Sequence, residues 1–229
     1  MDIKEFKDIH FALEAPKGER RAIFNCLNSV YLINELLVDI LFIGDSITER
    51  FEVYPYFNKY GNIVNRGIGG EATPALKNRL YYDAILLNPK VCVVAEGVNN
   101  TAVLWRTAHE GKPVTDQLIK SVLDEYKADM TFIIKELKGR GIIPVVGAVL
   151  PIGVKDVRNA VILEENKFLK ELCLKEGVTF VDYYSACVSS DGITMQDLTF
   201  GDDLHPHVLG YNKMAELLYP VFDKIFNKE

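Results

Sequence analysis

At 229 residues the chain has the length of one to two average domains, and a chain of this size buries roughly 70% of its unfolded surface, so it needs no disulfide or metal staple. Hydrophobic residues at 48% and charged residues at 25% exclude a largely disordered or collagen-like chain. A formal charge of -6, from 26 basic and 32 acidic residues, leaves no basic footprint for nucleic acid.

Residues 1–37 read as an extension ahead of the first strand. Asp2, Lys4, Glu5, Lys7, Asp8, Glu14 and Lys17 interrupt the stretch where a secretory signal would place an apolar core, so no export signal is expected. Residues 22–36 fit a helix or a strand. The apolar run 38–43 (VDILFI) is the first buried strand, followed by a weaker one at 62–65 and a third at 91–95 (VCVVA). Residues 101–115 are too polar and irregular to join either neighbour and read as a loop facing substrate.

A long amphipathic helix is predicted over 116–138, with Leu118, Ile119, Val122, Leu123, Tyr126, Met130, Ile133, Ile134 and Leu137 on one face. The run 142–149 (IIPVVGAV) is the fourth strand. A second helix over 157–175 presents Val157, Ala160, Val161, Glu164, Phe168 and Cys173, with Gly177 as its stop. Residues 178–182 (VTFVD) make the fifth strand, and 208–226 a last helix that contains Pro220.

Strands alternating with amphipathic helices imply βαβ units, hence a three-layer α/β/α sandwich around a mainly parallel five-stranded sheet. Without an internal repeat or a Pro/Gly/Ser linker, residues 1–229 read as one domain. No apolar run approaches the roughly 18–20 residues that span a bilayer. Cys26, Cys92, Cys173 and Cys187 are widely spaced with no C-x-x-C pair, which fits reduced, mostly buried thiols and a cytoplasmic location.

Open parallel sheets bind ligands at the carboxyl ends of their strands. Polar clusters follow three of the strands: Gly44-Asp45-Ser46-Ile47-Thr48, Asn65-Arg66-Gly67-Ile68-Gly69-Gly70-Glu71 and Gly97-Val98-Asn99-Asn100; a fourth, Asp202-Asp203-Leu204-His205-Pro206, precedes the last helix. Together they hold every part of a serine hydrolase. Ser46 is the candidate nucleophile at a strand-to-helix turn, and His205 the candidate base. Asp202, three residues earlier, is placed to reach the His205 Nδ1, whereas Asp203 is expected to face solvent or substrate. The backbone N–H groups of Ser46 and Gly70 and the side chain of Asn99 are candidate oxyanion donors. Asp45 and Trp105 are expected to touch substrate.

These four clusters resemble the sequence blocks of the SGNH, or GDSL-like, hydrolases, which carry Ser, Gly, Asn and His in that order. The resemblance spans residues 38–212, with Gly44-Asp45-Ser46 as the nucleophile block, Gly70 and Asn99 as the oxyanion residues and Asp202 with His205 as the D-x-x-H block. It implies ester hydrolysis on a flavodoxin-like sheet without metal or cofactor. Gly67-Ile68-Gly69-Gly70 and Gly97-Val98-Asn99-Asn100 look most like the platelet-activating-factor acetylhydrolase catalytic-subunit type, which suggests an acetyl ester of a small molecule or carbohydrate as substrate. Ile47, Glu71, Asn100 and Asp203 depart from the usual spelling without removing a catalytic group. Glu96 is a further departure, a carboxylate where relatives often carry an apolar residue.

Three other readings compete. Gly67-x-Gly69-x-x-Ala72 satisfies a dinucleotide-binding fingerprint with Glu96 ending the next strand, but Gly67 to Glu96 exceeds the expected spacing of about 20 residues. Asp202, Asp203, His205 and His207 offer metal ligands in one short loop with no distant partner. A non-catalytic binding module on the same fold is the third.

Overall fold

The computed structural model describes residues 18–227, so most of the predicted extension, residues 1–17, lies outside the described residues. Five strands, β1 (Ile40–Gly44), β2 (Ile63–Gly67), β3 (Val91–Ala95), β4 (Ile143–Gly147) and β5 (Thr179–Val181), form one sheet. Every pairing is parallel, in the order β2-β1-β3-β4-β5. This is the flavodoxin-like order, whose winding reverses between β1 and β3 and opens a crevice at their carboxyl ends. The expected strand positions hold to within one or two residues. All five residues of β1 are buried, which its uninterrupted apolar run requires.

β2 is weak as a sequence pattern because it is an edge strand whose polar residues are used. The Asn65 amide donates to the carbonyls of Thr48 (2.7 Å) and Phe51 (2.9 Å) and accepts from the Gly67 N–H (2.8 Å). Arg66 donates to Asn28 at 2.8 Å. Asn28 lies on α1 (Gly18–Ile33), which resolves the ambiguity over 22–36 in favour of helix.

The short α2 (Ser46–Glu49) and α3 (Val53–Phe57) follow β1. α4 (Thr73–Leu80), α6 (Asp116–Gly139) and α7 (Val157–Glu176) pack against one another over one face of the sheet. α8 (Tyr183–Cys187) and α9 (Val208–Phe226) cover the other face with α2 and α3. That second face is aromatic. Phe42 of β1 stacks on Phe57 (5.5 Å between centroids) and meets Phe222 edge-on (6.3 Å), while Phe51 stacks on Tyr211 at 4.8 Å. α9 runs through Pro220 and ends at Asn227 in the left-handed region.

Two expectations fail. Residues 101–115 are not a loop throughout, because α5 (Ala102–His109) occupies their first half and fully buries Leu104 against Val122 and Val161. α7 has the expected bounds, closed by Gly177 at φ 65°, but a rotated face. Ala160 and Glu164 are exposed, and the buried side includes Asn159, Ile162, Glu165, Asn166 and Leu169. The two asparagines are buried for their hydrogen bonds. Asn166 pairs with the N–H and C=O of Val149 (2.7 and 2.9 Å), and Asn159 accepts from Ile152 (2.8 Å) and donates to Val154 (2.8 Å), so they hold the loop after β4. A hydrophobicity count cannot detect polar residues buried for this reason.

Behind the carboxyl ends of β1 and β2 lies a buried charge network. The Arg79 guanidinium donates to the carbonyls of Gly44 (3.1 Å) and Arg66 (2.7 Å), to Glu71 (2.6 Å) and to Asp83 (3.2 Å). Asp83 also accepts from Arg21 (2.8 Å) and Asn28 (2.9 Å). Removing one cation from such a set leaves carboxylates and carbonyls buried without partners. Arg79→Leu is therefore expected to cost about 3–5 kcal/mol in urea unfolding, and Arg79→Lys to recover little because a point ammonium cannot reach four acceptors. A loss below about 1 kcal/mol for Arg79→Leu, a surface-like value, would show that the network carries no stability.

Candidate active site

β1 ends at Gly44, and the chain turns at once into α2. Asp45 caps this helix by accepting the Ile47 N–H at 2.8 Å, which leaves Ser46 as its first residue with a backbone N–H that needs no acceptor inside the helix. The turn is tied down from two directions. Thr48 Oγ1 donates to the Ala95 carbonyl at the end of β3 (3.4 Å), and the Tyr211 hydroxyl, from α9, donates to the Ile47 carbonyl (2.9 Å).

Asp202 and His205 approach from the segment before α9. One oxygen of Asp202 accepts the backbone N–H groups of Leu204 (3.1 Å) and His205 (2.8 Å), which curls the chain and frees Oδ2 to meet the His205 Nδ1 at 2.6 Å. On the other side of the ring, Nε2 lies 2.8 Å from the Ser46 Oγ. With its Nδ1–H donating a hydrogen bond to the carboxylate, the imidazole turns an Nε2 lone pair toward the serine hydroxyl. Partial burial works to raise the Asp202 pKa, but the backbone and side-chain bonds from His205 and the bond from Leu204 prevail and hold it down at about 2. Arg50, at the end of α2, adds a guanidinium 3.8 Å from the same carboxylate.

The turn after β2 lies beside the serine, and glycine is required in it. An ideal Cβ on Gly67 would sit 2.1 Å from the Glu49 backbone nitrogen, and Gly70 has φ 74°. The Gly70 N–H has no acceptor among the described residues. After β3, the Asn99 Nδ2 is buried with no hydrogen-bond partner. Its neighbour Asn100 is saturated, accepting the Thr73 N–H (3.1 Å) and donating to the Thr73 hydroxyl (2.8 Å). Of two adjacent asparagines, one braces the fold and the other holds a donor in reserve.

The structure thus brings Ser46, Asp202 and His205 into one hydrogen-bonded row, with the Gly70 and Asn99 turns to either side. Other expected site residues lie elsewhere. Asp45 is 2% exposed and caps α2 from inside, so its carboxyl faces the interior and not substrate; burial pushes it up to about 7, against the pull of the Ile47 N–H. Asp203 does not face outward freely: at φ 60° its carbonyl accepts the Gly153 N–H (2.6 Å) and its carboxylate accepts from Gln196 (3.0 Å). Trp105 is half exposed on α5, stacked on His109 at 5.0 Å, and no hydrogen bond or ring contact links it to the serine row. His207 caps α9 by accepting the Leu209 N–H at 3.0 Å, and no metal-holding group of three or more His, Cys, Asp or Glu occurs among the described residues.

Sequence reasoning missed the supports. Tyr211, Thr48, Arg50 and Arg79 act through long-range contacts, and nothing in their local pattern marks them. The dinucleotide reading fails on the turn itself, since the Glu49 carboxylate accepts from the Gly69 N–H and puts negative charge where a pyrophosphate would lie.

The chain belongs to the GDSL-like lipase/acylhydrolase family, whose model matches residues 42–213. That family comprises lipases and acylhydrolases. An uncharacterized lipoprotein of Bacillus subtilis, YqeF, is 26% identical over 129 residues, 50% of this chain and 49% of that protein, so the match spans about half of that curated relative. A GDSL-like lipase from Bacteroides thetaiotaomicron has the same fold, with TM-score 0.66, 21% identity and coverage of 96% of this chain and 97% of that one. So does a catalytic mutant of Axe2, an acetylxylan esterase from Geobacillus stearothermophilus, with TM-score 0.65, 22% identity and coverage of 84% and 95%.

The bracing asparagine generates a direct expectation. Asn100→Ala leaves the Thr73 N–H buried without an acceptor and should lower stability by about 1–3 kcal/mol in chemical denaturation. No change in the midpoint would mean that the Asn100–Thr73 pair is energetically neutral.

Proposed function

We propose that this enzyme removes short acyl groups, acetyl first among them, from an ester substrate through an acyl-enzyme on Ser46. The observation that carries the reading is the row from Asp202 through His205 to Ser46, with separations of 2.6 and 2.8 Å. In the first half-reaction the Ser46 Oγ attacks the carbonyl carbon as its proton passes to the His205 Nε2. Asp202 holds the imidazole in the tautomer that accepts this proton and stabilises the imidazolium that results. The tetrahedral oxygen takes its charge among the backbone N–H groups of Ser46 and Gly70 and the Asn99 amide. His205 then protonates the departing alcohol, and water, deprotonated by the same ring, releases the acid and frees Ser46.

Two observations support short acyl groups. The segment 101–115 contributes a helix packed on the core and no long apolar flap over the serine. The acetylxylan esterase of the same fold acts on acetyl groups, which makes an acetylated carbohydrate the first substrate class to test.

Ser46→Ala should lower kcat on p-nitrophenyl acetate by about 10⁴ to 10⁶-fold with the fold intact, and hydrolysis near the wild-type rate would overturn the mechanism. Across p-nitrophenyl esters from two to twelve carbons the rate should peak at the short end; a maximum at eight or more would remove the acetyl assignment.

Asn99→Ala should cost about 10² to 10³ in kcat with KM nearly unchanged, because the donor is engaged only as charge develops. Asp202→Asn should lose up to about 10⁴, against less than about tenfold for Asp203→Asn, whose side chain is tied to Gln196. A reversed order for the two aspartates would refute the role given to Asp202.

A further inference from the structure

Glu96 is the carboxylate that fits least well with its surroundings. It directly follows β3 and opens the turn through Gly97, at φ 148°, to Asn99. Only 2% of it is exposed, and neither carboxyl oxygen has a hydrogen-bond partner. The side chain lines a small internal cavity together with Asp45, Ile47, Val98, Tyr183 and Met214. Asp45 belongs to the turn that carries Ser46, and Val98 to the turn that carries Asn99. The cavity therefore lies between the two turns on which the proposed chemistry depends.

The charged and titratable groups around Glu96 come from every packed element. Asp45 and Glu71 repel a negative charge there, and Arg79 attracts one from α4. Tyr126 of α6 donates its hydroxyl to the Glu96 backbone carbonyl at 3.2 Å, and feels both Glu96 and the buried Glu165 of α7. Tyr183 faces the same cavity from α8. Arg79 is already shared among Glu71, Asp83 and two carbonyls, so no cation is committed to Glu96. Burial, then the neighbouring Asp45 and Glu71, push the Glu96 carboxyl well above the usual range.

We propose that Glu96 is a positioning residue whose buried side chain, without a hydrogen-bond partner in the shared cavity, sets the Asn99 turn against the Ser46 turn. An ionised Glu96 would add a carboxylate behind a hole built to stabilise negative charge, in surroundings where little water screens it. A hydrocarbon side chain would avoid the charge but would remove the polar group that Glu96 brings to the cavity it shares with Asp45. The proposal rests on the esterase reading, in that Asn99 must be an oxyanion donor for its turn to matter.

The test compares wild type, Glu96→Gln and Glu96→Leu. Kinetics on p-nitrophenyl acetate at pH 7 should leave kcat of Glu96→Gln within about threefold of wild type, since the amide reproduces a neutral acid. Glu96→Leu should lose at least about tenfold in kcat with KM within about twofold.

Urea unfolding of wild type and Glu96→Gln from pH 5 to 8 supplies a second readout. A carboxyl that stays protonated when folded and ionises when unfolded makes the wild type lose stability as pH rises. The unfolding equilibrium constant of wild type should thus grow relative to Glu96→Gln by up to about tenfold per pH unit.

Full activity in Glu96→Leu, a Glu96→Gln as impaired as Glu96→Leu, or a stability difference that does not change with pH would each overturn the proposal. Should Glu96→Leu fail to fold, the two Glu96→Gln readouts decide. A wild type that Ser46→Ala leaves fully active would refute the esterase reading instead, and the pH-dependent stability difference does not depend on that outcome.

Discussion

One guanidinium ties the end of β1, where the serine turn begins, to the end of β2, where the Gly67–Gly70 turn begins. Arg79 donates both to the carbonyl of Gly44, the last residue of β1, and to that of Arg66, one residue before the end of β2. Strand pairing sets the spacing of β1 and β2 along the sheet, the Ile68 N–H adds a bond to the Gly44 carbonyl (2.9 Å), and Arg79 supplies a side-chain tie at the same end. The fork geometry of arginine suits this task, since its N–H groups point in fixed directions within one plane. Glu71 and Asp83 neutralise the cation and orient it, and Arg21 and Asn28 of α1 complete the set around Asp83. The segment ahead of the first strand is thereby part of the site's foundation, through contacts a search for catalytic residues does not find.

Charge is sorted around Ser46 in a definite way. Behind the carboxyl ends of β1 and β2, the guanidiniums of Arg21 and Arg79 meet Glu71 and Asp83, and that of Arg66 donates to Asn28, which is itself bonded to Asp83. Burial draws the Arg66 pKa down to about 10, which still leaves it a cation at neutral pH. On the β1–β3 side lie the carboxyls of Asp45 and Glu96, both pushed up by burial. Asp202, at the mouth, goes the other way because its own turn supplies N–H donors. The same functional group takes opposite protonation tendencies within one site, and the deciding variable is burial: the fully buried Asp45 is raised even though it accepts the Ile47 N–H, whereas the exposed Asp202 is lowered by its N–H donors.

The sheet was legible because parallel strands are buried on both faces, and their apolar runs leave little choice of assignment. Its weakest strand pattern is β2, where Asn65 and Arg66 serve cross-chain hydrogen bonds. The row Ser46, His205 and Asp202 was legible for another reason: hydrolytic chemistry limits which residue types can do each job, and the D-x-x-H spacing is local. Asp45 was misplaced because a carboxylate's direction depends on contacts far along the chain, here to a cavity shared with Val149 and Tyr183. α7 shows the same limit. Its periodicity located the helix, but its buried asparagines answer to the carbonyls and N–H groups of a loop, which no hydrophobic pattern records.

What separates a bracing polar residue from one held for a ligand is its hydrogen-bond ledger, and the pair Asn99–Asn100 makes the distinction within a single dipeptide. Asn100 uses both its oxygen and its nitrogen on Thr73, whose hydroxyl in turn donates to the buried Asp129 at 3.1 Å. That chain ends on the Lys77 ammonium, so every buried member finds a partner. Asn99 keeps a buried N–H unpaired, a state a fold selected for stability alone would remove. Glu96 shows the same signature three residues earlier, with two unpaired oxygens. The turn after β3 therefore concentrates unmet polar capacity at the switch point of the sheet, where the winding order has already opened a crevice. Stability is sacrificed there and recovered in the apolar layers on either side, an arrangement that places two side chains with unpaired buried polar atoms next to a serine turn anchored by Thr48 and Tyr211.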